Sequence, residues 1–254
     1  MPAAIMGGTG LYKLPGLDLK EETVETEYGT ARLFVGQGKD SDIVFLTRHG
    51  TGHSIPPHLI NYRANIKALQ SLGVKRVIAN YAVGGINPDI PPLGVAVMGD
   101  FLDFTNGRKS TFFDQESESA MVSHVEMSQP YCPVMSQVLL DKFQQGGLNP
   151  FSKAVYAAAN GPRFESPAEI RMYGMLGADV VGMTGVPEVV LAREAGMCFA
   201  AVALSINWAA GIKPTIEIVA DHSKLGETRL SILRTCVDAL RATKDEDCTP
   251  AELI

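Results

Sequence analysis

The chain carries three polar clusters: N-G-P-R-F-E-S (Asn160–Ser166), G-M-T-G-V-P-E (Gly182–Glu188) and S-I-N-W-A-A-G (Ser205–Gly211). Each cluster directly follows an apolar run that is typical of a buried strand. In open α/β sheets, small molecules bind in the crevice outside the carboxyl ends of the strands. Three such clusters within about fifty residues, each with different polar groups, therefore predict one small-molecule site.

The same pattern continues on both sides of these clusters. Apolar runs of strand length include Ala3–Met6 and Ile43–Thr47, and Lys224–Ala242 has apolar residues at helical spacing. Apolar strands that alternate with amphipathic helices are typical of a mostly parallel or mixed sheet covered on both faces. We predict an α/β fold, a single domain over residues 1–242 with a mixed central β-sheet flanked by helices on both faces. Residues 243–254 are predicted to form a charged, frayed tail.

Length, charge and cysteine content limit the class of protein. A chain of 254 residues with 46% hydrophobic residues fits one large α/β domain. Its net charge of −6 argues against nucleic acid or an anionic membrane as the partner, because both require a basic face. No apolar run approaches the length of a membrane span, and the first residues do not resemble a signal peptide. The chain contains no C-x-x-C pair, which is typical of reduced thiols, so we expect a soluble cytoplasmic protein. The four cysteines are Cys132, Cys198, Cys236 and Cys248.

The first apolar run ends in Gly7-Gly8-Thr9-Gly10, a possible nucleotide loop. It is not a P-loop, because no Gly-Lys-Ser/Thr follows, and it is not a dinucleotide fingerprint, because Lys13 stands at the third glycine position. A turn with exposed N–H groups and the Thr9 hydroxyl suits a single anion. The alternative is a plain tight turn.

Arg48 and His49 follow the run Ile43–Thr47. A guanidinium offers two parallel donors that match phosphate oxygens, and an imidazole adds another donor. The alternative is a surface arginine beside a hydrogen-bonded histidine. A metal site at His49, His53 and His58 is not expected, because the intervening glycines and prolines prevent a helix that would align the rings.

The three polar clusters supply the parts of a pocket for a flat polar ring joined to a sugar. Phe164 can stack on an aromatic base, and Met183 can lie beneath a ribose. Thr184 adds a hydroxyl on the anion side. An ionised Glu165 only accepts hydrogen bonds, whereas Asn207 both donates and accepts. The alternative places Phe164 and Met183 in the core and Glu165 at a helix start.

Together these motifs resemble the trimeric purine nucleoside phosphorylases. The motifs that carry the resemblance occur in this order between Ile5 and Gly211: G-G-T-G-L, R-H-G, N-Y-R-A-N, A-V-G-G, G-P-R-F-E and G-M-T-x-V-P-E-x-x-L-A-R-E-A-G. Within that family the chain is most similar to the methylthioadenosine/methylthioinosine phosphorylase branch. The resemblance implies the nucleoside phosphorylase fold, a homotrimer, no cofactor, and phosphorolysis: phosphate displaces a purine from C1′ and yields a ribose 1-phosphate.

The resemblance also implies which residues bind phosphate and which are catalytic. The phosphate site would consist of Thr9, Arg48, His49, the backbone of Ala82, and Thr184. Tyr81 departs from the small polar residue that the family usually has before that alanine, so a side-chain contact there is not expected. Asn207 and His49 would be the catalytic residues.

The nucleoside itself would be bound by a larger set. These residues are Phe164, Glu165, Met183, Asn207, Trp208, Ala209 and Ile218, together with His124, which reaches into a neighbouring subunit's pocket in related trimers. Relatives that use 6-aminopurines have aspartates at the positions of Asn207 and Ala209 and usually serine at the position of Glu165. A carboxylate at Glu165 accepts the N1–H of a 6-oxopurine, whereas adenine N1 has no hydrogen to donate. We therefore predict a preference for 6-oxopurine nucleosides.

The group at the 5′ position stays open at this point. The apolar Ile218 favours a 5′-methylthio group, whereas His222, one turn further on, would favour a 5′-hydroxyl. Methylthioinosine is therefore placed beside inosine and guanosine as a substrate, with methylthioadenosine as the alternative. A nucleoside hydrolase would require an aspartate cluster near its N-terminus, which the sequence lacks. A non-catalytic nucleoside-binding protein would not require Arg48, His49 and Thr184.

Overall fold

The computed structural model describes residues 1–8, 16–50, 54–114, 123–219, 221–250 and 252–254. In these ranges the strands are β1 (Ala3–Gly7), β2 (Leu19–Thr26), β3 (Gly29–Gly36), β4 (Ile43–Thr47), β5 (Arg76–Gly85), β6 (Val95–Asp103), β7 (Phe151–Ala158), β8 (Val180–Gly182) and β9 (Cys198–Trp208). The α-helices are α1 (Tyr62–Ser71), α2 (Pro133–Gln145), α3 (Pro167–Met175), α4 (Gly185–Glu194) and α5 (His222–Ala242). From β4 onward, strands and helices largely alternate, as the sequence predicted.

The strands form one mixed sheet in the order β2-β3-β4-β1-β5-β8-β7-β6-β9. β9 also pairs with β5, so β5, β8, β7, β6 and β9 close into a ring. β4, β1, β5 and β9 run parallel to one another, which brings their carboxyl ends to the same edge. β8 runs antiparallel to the last residues of β5 and therefore delivers the segment after Gly182 to that edge as well.

Helices cover both faces of the sheet, which confirms the predicted architecture. Along β1, Ala4 and Met6 pack into the core shared with α1 and α4, whereas Ala3 and Ile5 pack into the core shared with α2 and α5. This alternation follows from the two-residue period of a strand, because successive side chains point to opposite faces. All of these side chains are almost completely buried.

Local sequence signals place the helix starts. Ser166 caps α3 with a reciprocal capping box, because its side chain accepts from Glu169 N while Glu169 accepts from Ser166 N. Asn61 caps α1 by accepting from the N–H of Ala64. Such caps stabilise a helix by about 1 kcal/mol each. Each cap fixes the residue at which its helix begins.

Two features differ from the expectation from sequence. The hairpin of β2 and β3 was not predicted, and it extends the sheet beyond β4. The tail was predicted to fray, but its described residues pack against the domain. Thr243 and Cys248 are buried, and Ile254 exchanges two backbone hydrogen bonds with His124. Arg76 of β5 donates to the Thr243 carbonyl and pairs with Asp245 at 2.6 Å, which gives the tail a buried polar anchor.

Candidate active site

A cavity of about 490 Å³ opens at the edge where the parallel strands end. Its wall is formed by Gly8 after β1, His49 after β4, Ala82–Gly84 of β5, Val181–Thr184 at β8 and Asn207 of β9. The segment after β7 completes it with Pro162, Phe164 and Glu165, and Ser54, Pro56, Pro57, Ile206 and Ile218 contribute the rim. All three polar clusters therefore meet at one cavity, as their positions at the ends of apolar runs predicted.

Most of the residues singled out from the sequence line this cavity. These are His49, Ala82, Phe164, Glu165, Met183, Thr184, Asn207 and Ile218. Trp208 and Ala209 follow Asn207 but are outside this lining, and Trp208 instead lines a second cavity together with Ile218. His124 is exposed and pairs through its backbone with the tail of its own chain. Thr9 and His53 lie outside the described residues.

Arg48 lies one layer behind the cavity wall. Its Nε and Nη2 donate to the two carboxylate oxygens of Glu188 at 2.6 and 2.7 Å, and Nη1 donates to the Asn80 carbonyl at 2.8 Å. Burial by itself lowers the pKa of Arg48, but the charge and hydrogen bonds of Glu188 outweigh it, so the pKa is raised. A Cβ added to Gly8 would lie 3.3 Å from Nη1, so the guanidinium sits directly behind that glycine.

His49 is held in one tautomeric arrangement. Its Nδ1 lies 2.8 Å from the carbonyl oxygen of Ile55, and because a carbonyl only accepts, Nδ1 carries a proton. The ring is buried but lines the cavity. The carbonyl thus orients the imidazole relative to the cavity, as a partner oxygen commonly does for functional histidines.

The backbone around Thr184 is held by the Tyr156 hydroxyl. That oxygen accepts from the N–H groups of Thr184 and Gly185 at 3.1 and 3.2 Å. Thr184 is the N-cap residue of α4 and Gly185 is its first residue, and N–H groups at a helix start have no partner within the helix. Burial raises the pKa of Tyr156, so the hydroxyl stays neutral at physiological pH. Thr184 therefore lines the cavity on a backbone that is fixed from behind.

Glu165 is the buried carboxylate of the cavity wall. Only 8% of its surface is exposed, and Oε1 has no hydrogen-bond partner in the described part of the chain. Desolvation raises the pKa of its carboxyl group. The interpretation of Glu165 as a helix-start charge is not supported, because Ser166 and Glu169 form the cap of α3. The carboxylate is thus positioned to accept a hydrogen bond from a ligand.

Asn207 and Phe164 line the same cavity as Glu165. Asn207 is 3% exposed, and its Nδ2 donates to the Trp208 carbonyl at 2.8 Å. An amide nitrogen has two hydrogens, so a second one is available for a ligand. Phe164 is 49% exposed, which is high for a phenylalanine and is what a stacking platform for a flat ring requires.

The sequence profile of the phosphorylase superfamily matches residues 2–239, nearly the whole chain. The chain belongs to the phosphorylase superfamily. Within this superfamily, the 6-oxopurine nucleoside phosphorylase of Pyrococcus furiosus is 49% identical over 82% of the chain and 80% of the relative. A protein of Methanopyrus kandleri named as a probable S-methyl-5′-thioinosine phosphorylase is 43% identical over 97% of the chain and 96% of the relative. 

Solved structures of the superfamily agree with the fold. The crystal structure of a methylthioadenosine phosphorylase from an Antarctic soil metagenomic library superposes with a TM-score of 0.85 at 32% identity. That match covers 95% of this chain and 87% of the other. The chain therefore has the single-domain α/β nucleoside phosphorylase fold.

Three residues that support the site in this superfamily member were missed from the sequence. Glu188 pairs with Arg48, and Tyr156 holds the start of α4. Arg108 donates through Nη2 to the carbonyls of Asn160 and Met183 at 2.9 and 2.8 Å, and so joins two of the polar clusters. A signal was available only for Glu188, because a glutamate inside an apolar helix pattern requires a buried cationic partner.

Proposed function

We propose that the protein catalyses phosphorolysis of 6-oxopurine nucleosides to the free base and a ribose 1-phosphate, as a pentosyltransferase of purine salvage. The observation that carries the proposal is the unpartnered Oε1 of Glu165 in the cavity wall. A buried acceptor without a partner costs about 1–3 kcal/mol, so a ligand that donates to it is favoured. Hypoxanthine and guanine present N1–H to such an acceptor, and adenine presents a lone pair.

A second set of cavity residues suits phosphate. Gly8, His49, Ala82 and Thr184 line the cavity, with the guanidinium of Arg48 behind Gly8. Three of the five N–H donors of Arg48 are used by Glu188 and Asn80, which leaves two that can face an anion. We infer that these groups hold inorganic phosphate as the co-substrate, together with Thr9 from outside the described residues, and that no cofactor is required.

The chemistry follows from where charge develops. A phosphate oxygen forms a bond to C1′ while the bond from C1′ to N9 breaks, and the electron pair of that bond passes to the purine. The ribosyl group becomes cationic and is stabilised by the phosphate charge. Asn207 donates to N7, where the negative charge of the leaving base accumulates. A donor aimed at developing charge lowers a barrier by about 3–4 kcal/mol.

The 5′ end and the assembly complete the proposal. Ile218 lines the cavity and is 51% exposed, and this apolar wall favours a 5′-methylthio group over a hydroxyl. Met172 and Met175 of α3 and the following residue, Leu176, are exposed, as a subunit contact would require. We infer a cytoplasmic homotrimer in which His124 approaches a neighbouring cavity.

The alternative function is phosphorolysis of methylthioadenosine. It is favoured by the solved structures, since the matching structures from the soil metagenome and from Schistosoma mansoni are methylthioadenosine phosphorylases. It is opposed by Glu165, because adenine N1 cannot satisfy the buried acceptor.

The test is a side-by-side assay of methylthioinosine, inosine, guanosine and methylthioadenosine, each with and without phosphate. We expect release of the 6-oxopurine base only when phosphate is present, with methylthioinosine ahead of inosine. Release without phosphate would indicate a hydrolase. Tight binding without turnover would indicate a binding protein, and faster turnover of methylthioadenosine would establish the alternative.

A further inference from the structure

The fold brings together three cysteines that are far apart in the sequence. The sulfur atoms of Cys132, Cys198 and Cys248 all lie within 4.8 Å of one another, and the sulfurs of Cys132 and Cys248 are 3.8 Å apart. All three side chains are buried, the most accessible being 8% exposed. We call these residues the cysteine trio.

Each member of the cysteine trio comes from a different part of the fold. Cys132 is the N-cap residue of α2, Cys198 is the first residue of β9, and Cys248 lies in the tail. Cys132 N donates to the carbonyl of Phe199 at 2.7 Å, which seats the start of α2 against β9. Asn207 lies near the other end of β9, about 30 Å away at 3.3 Å per residue, so the trio is separate from the proposed active site.

The surroundings favour sulfur in its anionic form. Cys132 stands at the N-terminus of α2, where the helix dipole and the first N–H groups stabilise an anion. A buried thiolate of this kind is a metal ligand as well as a nucleophile.

A buried cation, Arg193, precedes Cys198 by five residues in the chain. Arg193 is 5% exposed, and its Nε and Nη1 have no hydrogen-bond partner among the residues that the structure describes. Buried guanidinium nitrogens without partners are costly in the interior, and an anionic group nearby would offset part of that cost.

The spacing of the sulfurs identifies the class of ion. A metal–sulfur distance of about 2.3 Å in a trigonal plane places the three sulfurs about 4 Å apart, close to the observed separation. Soft thiolates select Cu(I) and Zn(II), and structural zinc takes a fourth protein ligand. The described residues offer no fourth histidine, cysteine or carboxylate in this group. We propose that the cysteine trio binds one Cu(I)-class thiophilic cation in three-coordinate geometry.

Binding would tie the tail to the sheet. Each thiol that becomes a ligand releases its proton to solvent, and no electron is transferred. Cys248 is joined along the chain to Ile254, which pairs with the backbone of His124. A metal at the trio would therefore fix the middle of the tail at Cys248, and the stability of the folded state would rise with the logarithm of the free metal concentration above the dissociation constant.

The experiment titrates the full-length reduced protein with Cu(I) under nitrogen, in competition with a coloured Cu(I) chelator. We expect one Cu(I) per chain and a higher melting temperature. Cys132→Ser, Cys198→Ser and Cys248→Ser should each lower the affinity by more than about a hundredfold, beyond what the loss of outer contacts costs. Cys236→Ser is the matched control, because Cys236 is equally buried but contacts Asn80 instead of the trio.

Circular dichroism and the nucleoside assay verify that every variant is folded. The absence of stoichiometric Cu(I) binding by the parent protein would overturn the proposal. An equal loss in Cys236→Ser would also overturn it. So would peptide mapping that finds two sulfurs of the trio joined as a disulfide in freshly purified protein.

Discussion

Arg48 and Glu188 are separated by 140 positions in the chain and form a two-pronged ion pair in which both side chains are fully buried. Arg48 follows β4, and Glu188 lies in the first turns of α4, directly after the loop that carries Thr184. The pair therefore links the two proposed phosphate-binding segments from behind. The opposite charges of the pair compensate each other, so no isolated charge is left in the core. The hydrogen bonds to Glu188 also orient the guanidinium, whose Nη1 lies behind Gly8.

Removal of one partner should be severely destabilising. Glu188→Ala leaves the Arg48 charge buried and unpaired, which costs about 3–5 kcal/mol in comparable buried pairs. The free energy of unfolding, measured by urea denaturation, should fall by that amount. Glu22→Ala is the control, because its partner Lys20 is largely exposed and such surface pairs contribute less than about 1 kcal/mol. Similar losses in the two variants would contradict the structural role of Glu188.

Tyr156→Phe should weaken the phosphate end of the cavity. The change removes the oxygen that accepts from Thr184 N and Gly185 N and leaves two buried donors unpaired, at about 1–3 kcal/mol. We expect a lower melting temperature and a higher KM for phosphate, with a smaller change in KM for the nucleoside. Initial-rate kinetics at varied phosphate and nucleoside concentrations measure the two KM values.

Tyr131→Phe is the matched control for that substitution. Its hydroxyl is also buried but has no hydrogen-bond partner among the described residues. Its removal should leave the phosphate KM unchanged and stability equal or slightly higher. If both variants raised the phosphate KM equally, a specific contribution of Tyr156 would be excluded.

The sequence predicted those structural elements that are determined by residues close together in the chain. Strand period and helix period are local, and the runs Ala3–Met6, Ile43–Thr47 and Lys224–Ala242 end or begin within two residues of β1, β4 and α5. The β2–β3 hairpin was missed because β2, L-K-E-E-T-V-E-T, is half exposed and charged, so it has no apolar run. The tail was judged on its charge alone, whereas its packing depends on Arg76, which is distant in sequence.

For the site, too, features set by local sequence were predicted, and features set by distant contacts were missed. The positions of Glu165, Thr184 and Asn207 at or after the ends of apolar runs were predicted from the sequence, because small-molecule sites form where the strands of an α/β sheet end. Tyr156 was not, since it acts from inside β7 through contacts that only the folded chain makes. The cysteine trio shows the same limit, because no spacing in the sequence relates Cys132 to Cys248.

Asn207→Ala should lower kcat by roughly a hundred- to a thousandfold, because the donor that stabilises charge at N7 is lost. The KM for phosphate should change little. Asn207→Asp serves as the size-matched variant: it keeps the volume but replaces the donor with an acceptor, so its turnover of inosine should fall almost as far. Equal losses in turnover and phosphate affinity would show that Asn207 is structural.

The proposed role of Glu165 predicts a particular pH dependence. Desolvation raises the pKa of its carboxyl group above the ordinary value of 4.5. Only the ionised form accepts the N1–H of a 6-oxopurine, so kcat/KM for inosine should decline as pH falls through this raised pKa. Glu165→Gln should lower kcat/KM by about ten- to a hundredfold at neutral pH. It should also remove this acidic limb of the pH profile, and an unchanged limb would assign it to another group.

Glu165→Gln should also make the substrate-free protein more stable at neutral pH. Because the folded-state pKa is raised, the folded chain binds this proton more tightly than the unfolded chain. Stability therefore falls as pH rises from about 4.5 through the raised pKa, and the neutral amide avoids that loss. The melting temperature of the variant should exceed that of the parent at pH 7, and the difference should vanish below the ordinary carboxyl pKa.

Glu169→Gln, four residues along the chain, should do the reverse. The hydrogen bond from Arg163, followed by that from the Ser166 backbone, lowers the pKa of Glu169 to about 2. The folded chain therefore binds this proton less tightly, so the ionised group contributes stability above the ordinary pKa that is lost as pH falls toward 2. Melting curves at pH 7 should shift upward for Glu165→Gln and downward for Glu169→Gln. A downward shift for Glu165→Gln as well would show that burial of Glu165 carries no cost, and the acceptor in the cavity wall would then be satisfied without a ligand.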